Sequence, residues 1–240
     1  MKEFIKKLIR LAQLPFIIAD FWRFYRVNDK RFSLRLVDVY PCIKAKTIKT
    51  RFDRHYVYFT AWAARQVRKM SPEKHVDISS SLYFAGIVSA FVPVEFYDYR
   101  PADLKLSNLE SKHADLTHLP FDDNSVTSLS CMHVVEHIGL GRYGDTIDSE
   151  GDLKAAKELS RVLARGGKLL FVVPIGAKSR IEYNAHRIYS YKTALSLFPD
   201  LKLEEFTLIP EKNGAPISNT GPELIKNESY ACGCFVFTKL

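Results

Sequence analysis

Residues 114–139 read ADLTHLPFDDNSVTSLSCMHVVEHIG, and residues 158–174 read ELSRVLARGGKLLFVVP. The first stretch contains the strand-like run SVTSLSCM, and the second ends in KLLFVVP, an apolar run typical of a central strand in a parallel sheet. Between these two runs, the periodic pattern at 152–164 predicts a helix that Gly166-Gly167 ends. A strand, a helix and a second buried strand in this order indicate a βαβ unit.

The same alternation extends to both sides of this unit. Further strands are predicted at 75–79, 94–98, 111–115, 203–209 and 231–238, and further helices at 54–69, 82–91 and 190–198. Strands that alternate with helices imply right-handed crossovers and a doubly wound, mostly parallel sheet. We therefore predict an α/β domain at residues 54–240, preceded by a basic helical extension at residues 1–53.

Acidic residues stand in or at the end of three predicted strands. Asp77 lies in the strand at 75–79, Asp98 ends the next strand, and Asp115 ends the strand after that. In an open α/β sheet, ligands bind beyond the carboxyl ends of the strands, where the strand order reverses. A carboxylate about 20 residues after the first strand commonly accepts hydrogen bonds from ribose hydroxyls. The pattern therefore predicts a nucleotide site at this edge of the sheet.

At these positions the chain resembles the class I S-adenosylmethionine-dependent methyltransferases. In that superfamily, as in residues 114–139, an acidic residue precedes a Leu-Pro-Phe turn, a strand and a short turn that contains Glu-His. A helix that ends near a Gly-Gly pair then leads into the fifth strand, although Arg165 stands here where the superfamily usually has proline. The resemblance implies a seven-stranded sheet with an antiparallel last strand, and S-adenosyl-L-methionine as the cofactor.

The resemblance also implies which residues contact the cofactor. They lie in or after the predicted strands and comprise Asp77, Ser79, Ser81, Asp98, Tyr99, Asp115, Leu116 and Met132. More narrowly, segments such as FYDYRPADL and NAHRIYSY resemble a bacterial family of methyltransferase-like proteins of unassigned function. Because its members are often associated with surface polysaccharide synthesis, this resemblance favours a sugar hydroxyl as the methyl acceptor.

The first loop departs from the superfamily pattern, which usually reads Asp-x-Gly-x-Gly-x-Gly. Here Ser79, Ser80 and Ser81 follow shortly after Asp77, and no glycine occurs before Gly86. Glycine adopts a positive φ without steric cost, whereas serine resists it. Two alternatives are open: the loop binds the cofactor in an altered geometry, or binding is weakened or lost.

The segment from His133 to His137 has the form H-x-x-E-H, the inverted zinc-protease signature. Histidines four apart share one face of a helix and can hold zinc, with Glu136 as the base. However, a strand and Gly139 confine any helix here to about one turn, and the resemblance explains the Glu-His pair without a metal. We therefore expect no metal site. As catalytic residues we predict His137, His133 and Asp145, which could take a proton from a hydroxyl acceptor.

The composition excludes several classes of protein. Apolar residues make up 47% and charged residues 26%, unlike a disordered chain, a collagen or a disulfide scaffold. The four cysteines form no CxxC pair, which favours a reducing, cytoplasmic compartment. The start of the chain has neither the apolar length of a membrane span nor the small-residue cleavage site of a signal peptide.

The net charge of +8 is unevenly distributed. Residues 1–70 contain seventeen Lys/Arg and five Asp/Glu, whereas the rest of the chain is mildly acidic. Residues 2–14 have an amphipathic pattern, which leaves two alternatives: docking on the protein itself or on a second subunit, and peripheral contact with the inner face of a membrane. Nucleic-acid binding through the basic front end is disfavoured, because no Asn/Asp-Pro-Pro-Tyr-type motif follows the fourth strand.

Together these features predict a methyltransferase that uses S-adenosylmethionine to O-methylate a sugar hydroxyl in surface polysaccharide biosynthesis. The partner is then a small-molecule or glycan acceptor, and a homo-oligomer is compatible with the sequence. The serine loop keeps open a second function, a non-catalytic methyltransferase-like binding or scaffold protein. A nucleic-acid methyltransferase is the third alternative.

Overall fold

The computed structural model describes the backbone of residues 2–40, 42 and 48–240, and the side chains of residues 15–40, 42 and 48–240. The chain divides into two units, Met1–Phe52 and Asp53–Leu240. In the first unit, helix α1 (Lys2–Val27) continues well beyond the predicted amphipathic segment and contains Pro15. The side chains of residues 2–14 lie outside the described residues, and so does the amphipathic face predicted there. Over the described part of the chain, no helix has the length and apolar character that a bilayer span requires.

An eight-stranded sheet forms the centre of the second unit. Its strands are β1 (His75–Ile78), β2 (Val94–Asp98), β3 (Leu109–His113), β4 (Val126–Met132), β5 (Leu163–Ile175), β8 (Leu201–Ile209), β9 (Ile217–Ser218) and β10 (Ala231–Lys239). The strand order is β3-β2-β1-β4-β5-β10-β8-β9. Strands β1 to β5 are parallel, whereas β10 is antiparallel to both β5 and β8. The predicted mostly parallel sheet with an antiparallel last strand is confirmed, and the short β9 extends one edge.

Helices cover both faces of this sheet, as the alternation of strands and helices predicts. One face carries α2 (Arg54–Met70) and α3 (Leu82–Val88), and the other carries α4 (Gly151–Val162) and α5 (Tyr191–Ser196). The helices on each face pack against the sheet and bury a separate hydrophobic core. The architecture is therefore a doubly wound, three-layer sandwich.

Helix α2 begins at its predicted first residue because its first turn is capped. The Asp53 side chain accepts a hydrogen bond from the Tyr56 backbone N–H at 3.1 Å, which satisfies an amide that has no partner within the helix. One face of the helix buries Phe59, Trp62 and Val67 against the sheet. Capping and burial together place the start of α2 beside the carboxyl edge of the sheet.

The glycine pair after α4 does not end that helix, contrary to the prediction. Helix α4 ends at Val162, and Leu163 already pairs with Val126 as the first residue of β5. Gly166-Gly167 lies inside β5, where the register between β4 and β5 shifts. A Cβ on Gly167 would lie 2.8 Å from the carbonyl oxygen of Ala164, so glycine permits this irregularity.

Two smaller elements were not predicted. Strands β6 (Arg180–Glu182) and β7 (His186–Ile188) form an antiparallel hairpin after β5.

Strand β3 begins and ends two residues earlier than predicted, so that Asp115 lies beyond the strand instead of ending it. Both the hairpin and the turn that contains Asp115 lie at the edge of the sheet described next.

Candidate functional site

The order of the parallel strands reverses at β1, since β2 and β3 lie on one side of it and β4 and β5 on the other. The loops after β1 and β4 therefore separate and leave a crevice, which is the usual ligand position in a doubly wound sheet. A cavity of about 430 Å³, here called the first cavity, occupies this crevice. Its size is typical of small-molecule sites.

Five of the eight predicted cofactor residues line the first cavity: Ser79, Asp98, Tyr99, Asp115 and Leu116. Ser81, which precedes α3 as its N-terminal flanking residue, is not among the lining residues. Asp77 and Met132 are fully buried in their strands and do not line the cavity either. The structure thus brings most of the predicted set together around one space.

The serine turn after β1 adopts the backbone conformation that glycine usually supplies. Ser79 has a φ of 53°, in the left-handed region. Its backbone N–H and its hydroxyl both donate to the carbonyl oxygen of Tyr97, at 2.7 and 3.0 Å. The hydroxyl of Ser80, a lining residue that sequence reasoning missed, accepts from the backbone N–H of Met132 at 3.0 Å. Side-chain hydrogen bonds therefore hold a turn in which glycine is absent.

Asp77 lies beneath this turn within a buried polar network. The hydroxyl of Ser130 donates to Asp77 Oδ1, and the hydroxyl oxygen of Ser130 in turn lies 2.9 Å from His75 Nε2. His75 Nδ1 lies 2.8 Å from the Ser128 hydroxyl, so each hydroxyl donates toward the next group in one consistent chain. Burial raises the pKa of Asp77 to about 7 and lowers the pKa of His75 to about 3. Asp77 also forms hydrogen bonds with Ser80 of the turn and lies behind the wall of the first cavity instead of lining it, so its contact with the cofactor stays a prediction.

Asp98 and Asp115 are held by the turns that follow their strands. Asp98 Oδ1 accepts from the backbone N–H of Arg100 at 2.7 Å. Asp115 Oδ1 accepts from both the backbone N–H and the hydroxyl of Thr117, at 2.8 and 2.7 Å. These local bonds fix both carboxylates at the wall of the first cavity, where they can accept hydrogen bonds from hydroxyls or amines.

His137 has the orientation expected of a general base. It follows β4 in the single 3-10 turn Val135–His137, so the predicted short helix is confirmed. His137 Nδ1 lies 2.7 Å from the carbonyl oxygen of Ala185 and must donate to it, which leaves the Nε2 lone pair available. Burial lowers the pKa of His137, so the ring is neutral at pH 7 and able to accept a proton.

His133 is oriented differently, although it also lines the first cavity. It has a φ of 58°, and its Nδ1 lies 2.8 Å from Glu136 Oε1. The Nε2 atom faces Cys232 Sγ at 3.5 Å. The two histidines of the H-x-x-E-H segment therefore point to different partners, unlike the ligand pair of a zinc protease. Both ring nitrogens of His133 already face protein groups, and its catalytic role stays a prediction.

The loop between Gly139 and α4 covers part of the first cavity, and Asp145 holds it together. Asp145 Oδ2 accepts from the backbone N–H of Gly139 at 2.7 Å, and Oδ1 accepts from that of Tyr143 at 3.2 Å. Burial alone would raise the pKa of Asp145, but these amide hydrogen bonds outweigh it and lower the pKa. Asp145 therefore stabilises the covering loop, and its catalytic role stays a prediction.

Further lining residues were not predicted from the sequence. They are Tyr56, Arg100, Thr117, Tyr143 and Lys154, among others. Tyr143 lies between two guanidinium groups, with Arg100 5.1 Å and Arg142 5.0 Å from its ring centre. Since Arg100 follows β2 and Tyr143 belongs to the covering loop, this cation–π contact joins the loop to the wall of the cavity. In the sequence, the only sign that Arg100 belongs to this site is its position two residues after Asp98.

A second cavity adjoins the first and is lined by histidines. His55, His133, His137 and His186 line it, together with Glu136 and Tyr230. The rings stack in a series: His186 on Tyr230, Tyr230 on His55, and His55 on His133, with centroids 5.0, 5.0 and 5.5 Å apart. Burial lowers the pKa of His55 to about 4 and raises the pKa of Tyr230 to about 12. The His55 and Tyr230 rings are therefore neutral at pH 7.

The comparisons with known proteins concern the same part of the chain. The sequence model of a family described as "Caenorhabditis protein of unknown function, DUF268" matches residues 97–200, less than half of the chain. A search of curated proteins gave no match.

Several solved structures superpose on the chain. A TehB-like SAM-dependent methyltransferase from Corynebacterium glutamicum is 16% identical, with a TM-score of 0.50, and the match covers 74% of this chain and 87% of that one. A candidate sarcosine dimethylglycine methyltransferase from Galdieria sulphuraria is 16% identical, with a TM-score of 0.52 and coverages of 75% and 85%. The [4+2]-cyclase SpnF is 12% identical, with a TM-score of 0.54 and coverages of 75% and 80%.

The chain has the class I methyltransferase fold. The strand order, the antiparallel β10 and these superpositions agree on this point. At identities of 12–16%, the likeness concerns the fold alone.

Proposed function

We propose that the protein is an S-adenosylmethionine-dependent methyltransferase. The observation that carries this proposal is the position of Asp98 and Asp115 at the ends of adjacent strands, beside the left-handed Ser79 turn. A nucleoside ligand such as S-adenosylmethionine needs acceptors for its ribose hydroxyls and for its exocyclic amine, together with an open backbone turn. The residues present fit S-adenosylmethionine on this ground.

In this proposal each wall of the first cavity has a role. Asp98 accepts hydrogen bonds from the ribose hydroxyls, Asp115 accepts from the adenine amine, and Leu116 packs against the base. The Ser79 turn and Tyr99 complete the wall on either side of Asp98. When bound, S-adenosylmethionine supplies an electrophilic methyl group on a sulfonium ion.

We propose further that the methyl acceptor is a hydroxyl group, in the first instance a sugar hydroxyl of a surface polysaccharide precursor. A hydroxyl is a poor nucleophile unless a base takes its proton as the methyl group is transferred. His137 lines the first cavity and is neutral, with its Nε2 3.9 Å from Glu136 Oε1, which supports it as that base. The rest of the catalysis is alignment of the acceptor by the covering loop.

Calorimetric titration with S-adenosylmethionine and S-adenosylhomocysteine tests the first step. We expect heat of binding for both compounds at one site per chain. Absence of heat with either compound, on protein shown to be folded by circular dichroism, would refute the methyltransferase proposal.

The second step is tested with methyl-labelled S-adenosylmethionine and a panel of mono- and oligosaccharides. An O-methyl ether keeps its label in alkali, whereas a methyl ester loses it. Alkali-stable label on a sugar supports the acceptor class, and His137→Gln should lower the rate by about a hundredfold without changing cofactor affinity. Cofactor binding without transfer to any sugar would contradict the acceptor assignment.

A non-catalytic or otherwise altered function remains the alternative. The [4+2]-cyclase SpnF carries the same fold, so the fold itself does not require methyl transfer. Tight binding of both cofactor forms, with no transfer to any acceptor class, would favour this alternative.

We also propose that residues 1–53 are a basic extension that contacts an anionic membrane surface. In α1, the aromatic side chains of Phe16, Trp22, Phe24 and Tyr25 are about half exposed or more. Aromatic side chains beside Lys and Arg are suited to the interface of an anionic bilayer. Flotation with vesicles of phosphatidylglycerol and phosphatidylcholine should recover the full chain but not a chain lacking residues 1–27, which comprise α1 and all four of these aromatic side chains. Equal recovery of the two forms would refute this contact.

A further inference from the structure

Three side chains from distant parts of the sequence meet at the wall of the second cavity. They are His55 in the first turn of α2, His133 directly after β4, and Cys232 in β10. All three are buried, and one ring nitrogen of each histidine and the cysteine sulfur lie within 4.8 Å of one another. Imidazole nitrogen and thiolate sulfur are the preferred ligands of zinc in proteins.

One distance in the cluster matches that of a tetrahedral metal site, and all three ligand atoms lie within 4.8 Å of one another. With zinc–nitrogen bonds of about 2.0 Å and zinc–sulfur bonds of about 2.3 Å, the nitrogen and sulfur ligands lie about 3.5 Å apart. His133 Nε2 and Cys232 Sγ are 3.5 Å apart. No backbone movement is needed to bring this pair to one ion.

Neighbouring groups hold the histidine rings of the cluster in place through hydrogen bonds, as is usual for metal ligands. Glu136 Oε1 lies 2.8 Å from His133 Nδ1, so that Nδ1 carries the proton and the Nε2 lone pair points to Cys232. A carboxylate behind a histidine in this way is the usual support of a zinc ligand. His55 likewise makes a backbone hydrogen bond with Tyr230.

Hydrogen bonding within the cluster does not explain it fully. The Cys232 thiol can donate its one proton to only one of the two imidazole rings beside it, and its sulfur is only a weak acceptor for an N–H of the other ring. A metal ion would satisfy both rings and the sulfur at once.

We propose that His55, His133 and Cys232 bind a zinc ion. On binding, the Cys232 S–H bond breaks, sulfur keeps the electron pair for the new zinc–sulfur bond, and the proton leaves to solvent. Because His55 and His133 line the second cavity, the fourth coordination position faces that cavity and is open to water or another oxygen ligand. This site differs from the H-x-x-E-H pair, since His137 is not one of its ligands, and it does not depend on the proposed methyl transfer.

Cys234 provides a matched comparison within the same strand. Its sulfur lies 3.9 Å from Cys232 Sγ, and both side chains are fully buried. However, Cys234 is not part of the group of mutually close ligand atoms. Replacement of either cysteine by alanine removes the same atoms from the same core, so the two variants differ chiefly in metal ligation.

The experiment is a titration of the reduced, chelator-treated full chain with Co²⁺, followed by Zn²⁺. We expect one Co²⁺ per chain, with a thiolate-to-cobalt charge-transfer band and the intense visible bands of tetrahedral cobalt, all of which Zn²⁺ abolishes. Cys232→Ala should lose the charge-transfer band and bind Co²⁺ at least a hundredfold more weakly, whereas Cys234→Ala should retain the wild-type spectrum. Glu136→Gln should lower the affinity about ten- to hundredfold.

Two results would overturn the proposal. One is the absence of a charge-transfer band in the wild-type protein. The other is an identical response of the Cys232→Ala and Cys234→Ala variants. Circular dichroism of the metal-free variants checks that each is folded. If Cys232→Ala does not fold, Co²⁺ titration of His55→Gln replaces it, and unchanged stoichiometry and affinity there would refute the site.

Discussion

The two cavities at the carboxyl edge of the sheet draw their polar side chains from different parts of the chain. The first is lined by residues that directly follow strands, and their partners lie two residues further on, as with Asp98 and Arg100. The second is lined by rings whose partners lie far away in sequence, as with His133 and Cys232, which are 99 residues apart.

Because of this difference, we expect the two sites to be largely independent of each other. Turns with local hydrogen bonds form wherever the strands end, so a change in one turn of the first cavity should leave the second intact. The cluster of the second cavity exists only when α2, β4 and β10 are packed together. Four residues line both cavities, namely Tyr56, His133, His137 and Tyr143, but only His133 belongs to the cluster. We therefore expect the two sites to respond separately to substitutions, except at His133.

Among the substitutions that should affect one cavity and not the other, Gly139→Ala is expected to have the largest effect. Gly139 has a φ of 81°, and a Cβ there would lie 2.0 Å from the carbonyl oxygen of Asp148. We expect a loss of about 3 kcal/mol in the free energy of unfolding, measured by urea denaturation. S-adenosylmethionine binding should weaken as the covering loop is displaced, while the Co²⁺ spectrum is retained.

Gly144→Ala is the control for this substitution. Gly144 has a similar φ of 87°, but a Cβ there meets no atom within 4 Å. It should therefore lose only about 1 kcal/mol, the cost of a left-handed conformation. Equal losses in the two variants would show that the contact with Asp148 is unimportant.

The next effect is a pH dependence that Asp77 introduces. Its pKa is about 7 in the folded protein and near the ordinary value of 3.8 after unfolding, because only the folded state buries it. Between these values the folded protein binds the extra proton, so stability is greatest below pH 4 and is lost as pH rises through 7. Asp77→Asn should remove this loss and gain about 2 kcal/mol relative to wild type between pH 5 and pH 8.

Urea denaturation of both proteins across this pH range measures the effect. Asp98→Asn serves as the reference, since Asp98 is only half-buried. A parallel pH profile for wild type and Asp77→Asn would contradict the assignment of the buried proton to Asp77.

Asp98→Ala probes the first cavity alone. We expect at least a tenfold loss of S-adenosylmethionine affinity, about 1.4 kcal/mol, because the carboxylate acceptor is removed. The control is Asp103→Ala, an exposed aspartate in the same loop that does not line the cavity. Calorimetry should show weaker binding for Asp98→Ala than for Asp103→Ala. Unchanged affinity in Asp98→Ala would show that Asp98 does not bind the ribose.

The smallest effect is expected from Tyr143→Leu. Loss of the ring between Arg100 and Arg142 should loosen the covering loop and weaken cofactor binding about threefold, in line with a partly exposed cation–π contact. Tyr83→Leu, at a highly exposed position of α3, is the control. A change in Co²⁺ affinity with Tyr143→Leu would contradict the independence of the two sites.

Much of the fold could be predicted from the sequence, because periodicity and turn chemistry are local. The strand at 94–98 was predicted with its observed bounds, and α2 begins at its predicted first residue, Arg54, because Asp53 caps the helix. Asp98 and Asp115 follow from the same logic, because parallel strands bring their carboxyl ends to one edge.

The remaining features depend on contacts across the fold. The sequence alone gives no sign that Asp77 is buried under the turn, that hydrogen bonds to Tyr97 hold Ser79 at positive φ, or that Asp145 binds its own loop. His55, His133 and Cys232 share no sequence motif, because their spacing is set by the crossing of α2, β4 and β10 and not by any helical or strand repeat. The positions of acidic residues at or near strand ends can therefore be read from the sequence. Which of these residues line the first cavity, and that His55 and His133 lie beside Cys232, depends on how the strands and helices pack.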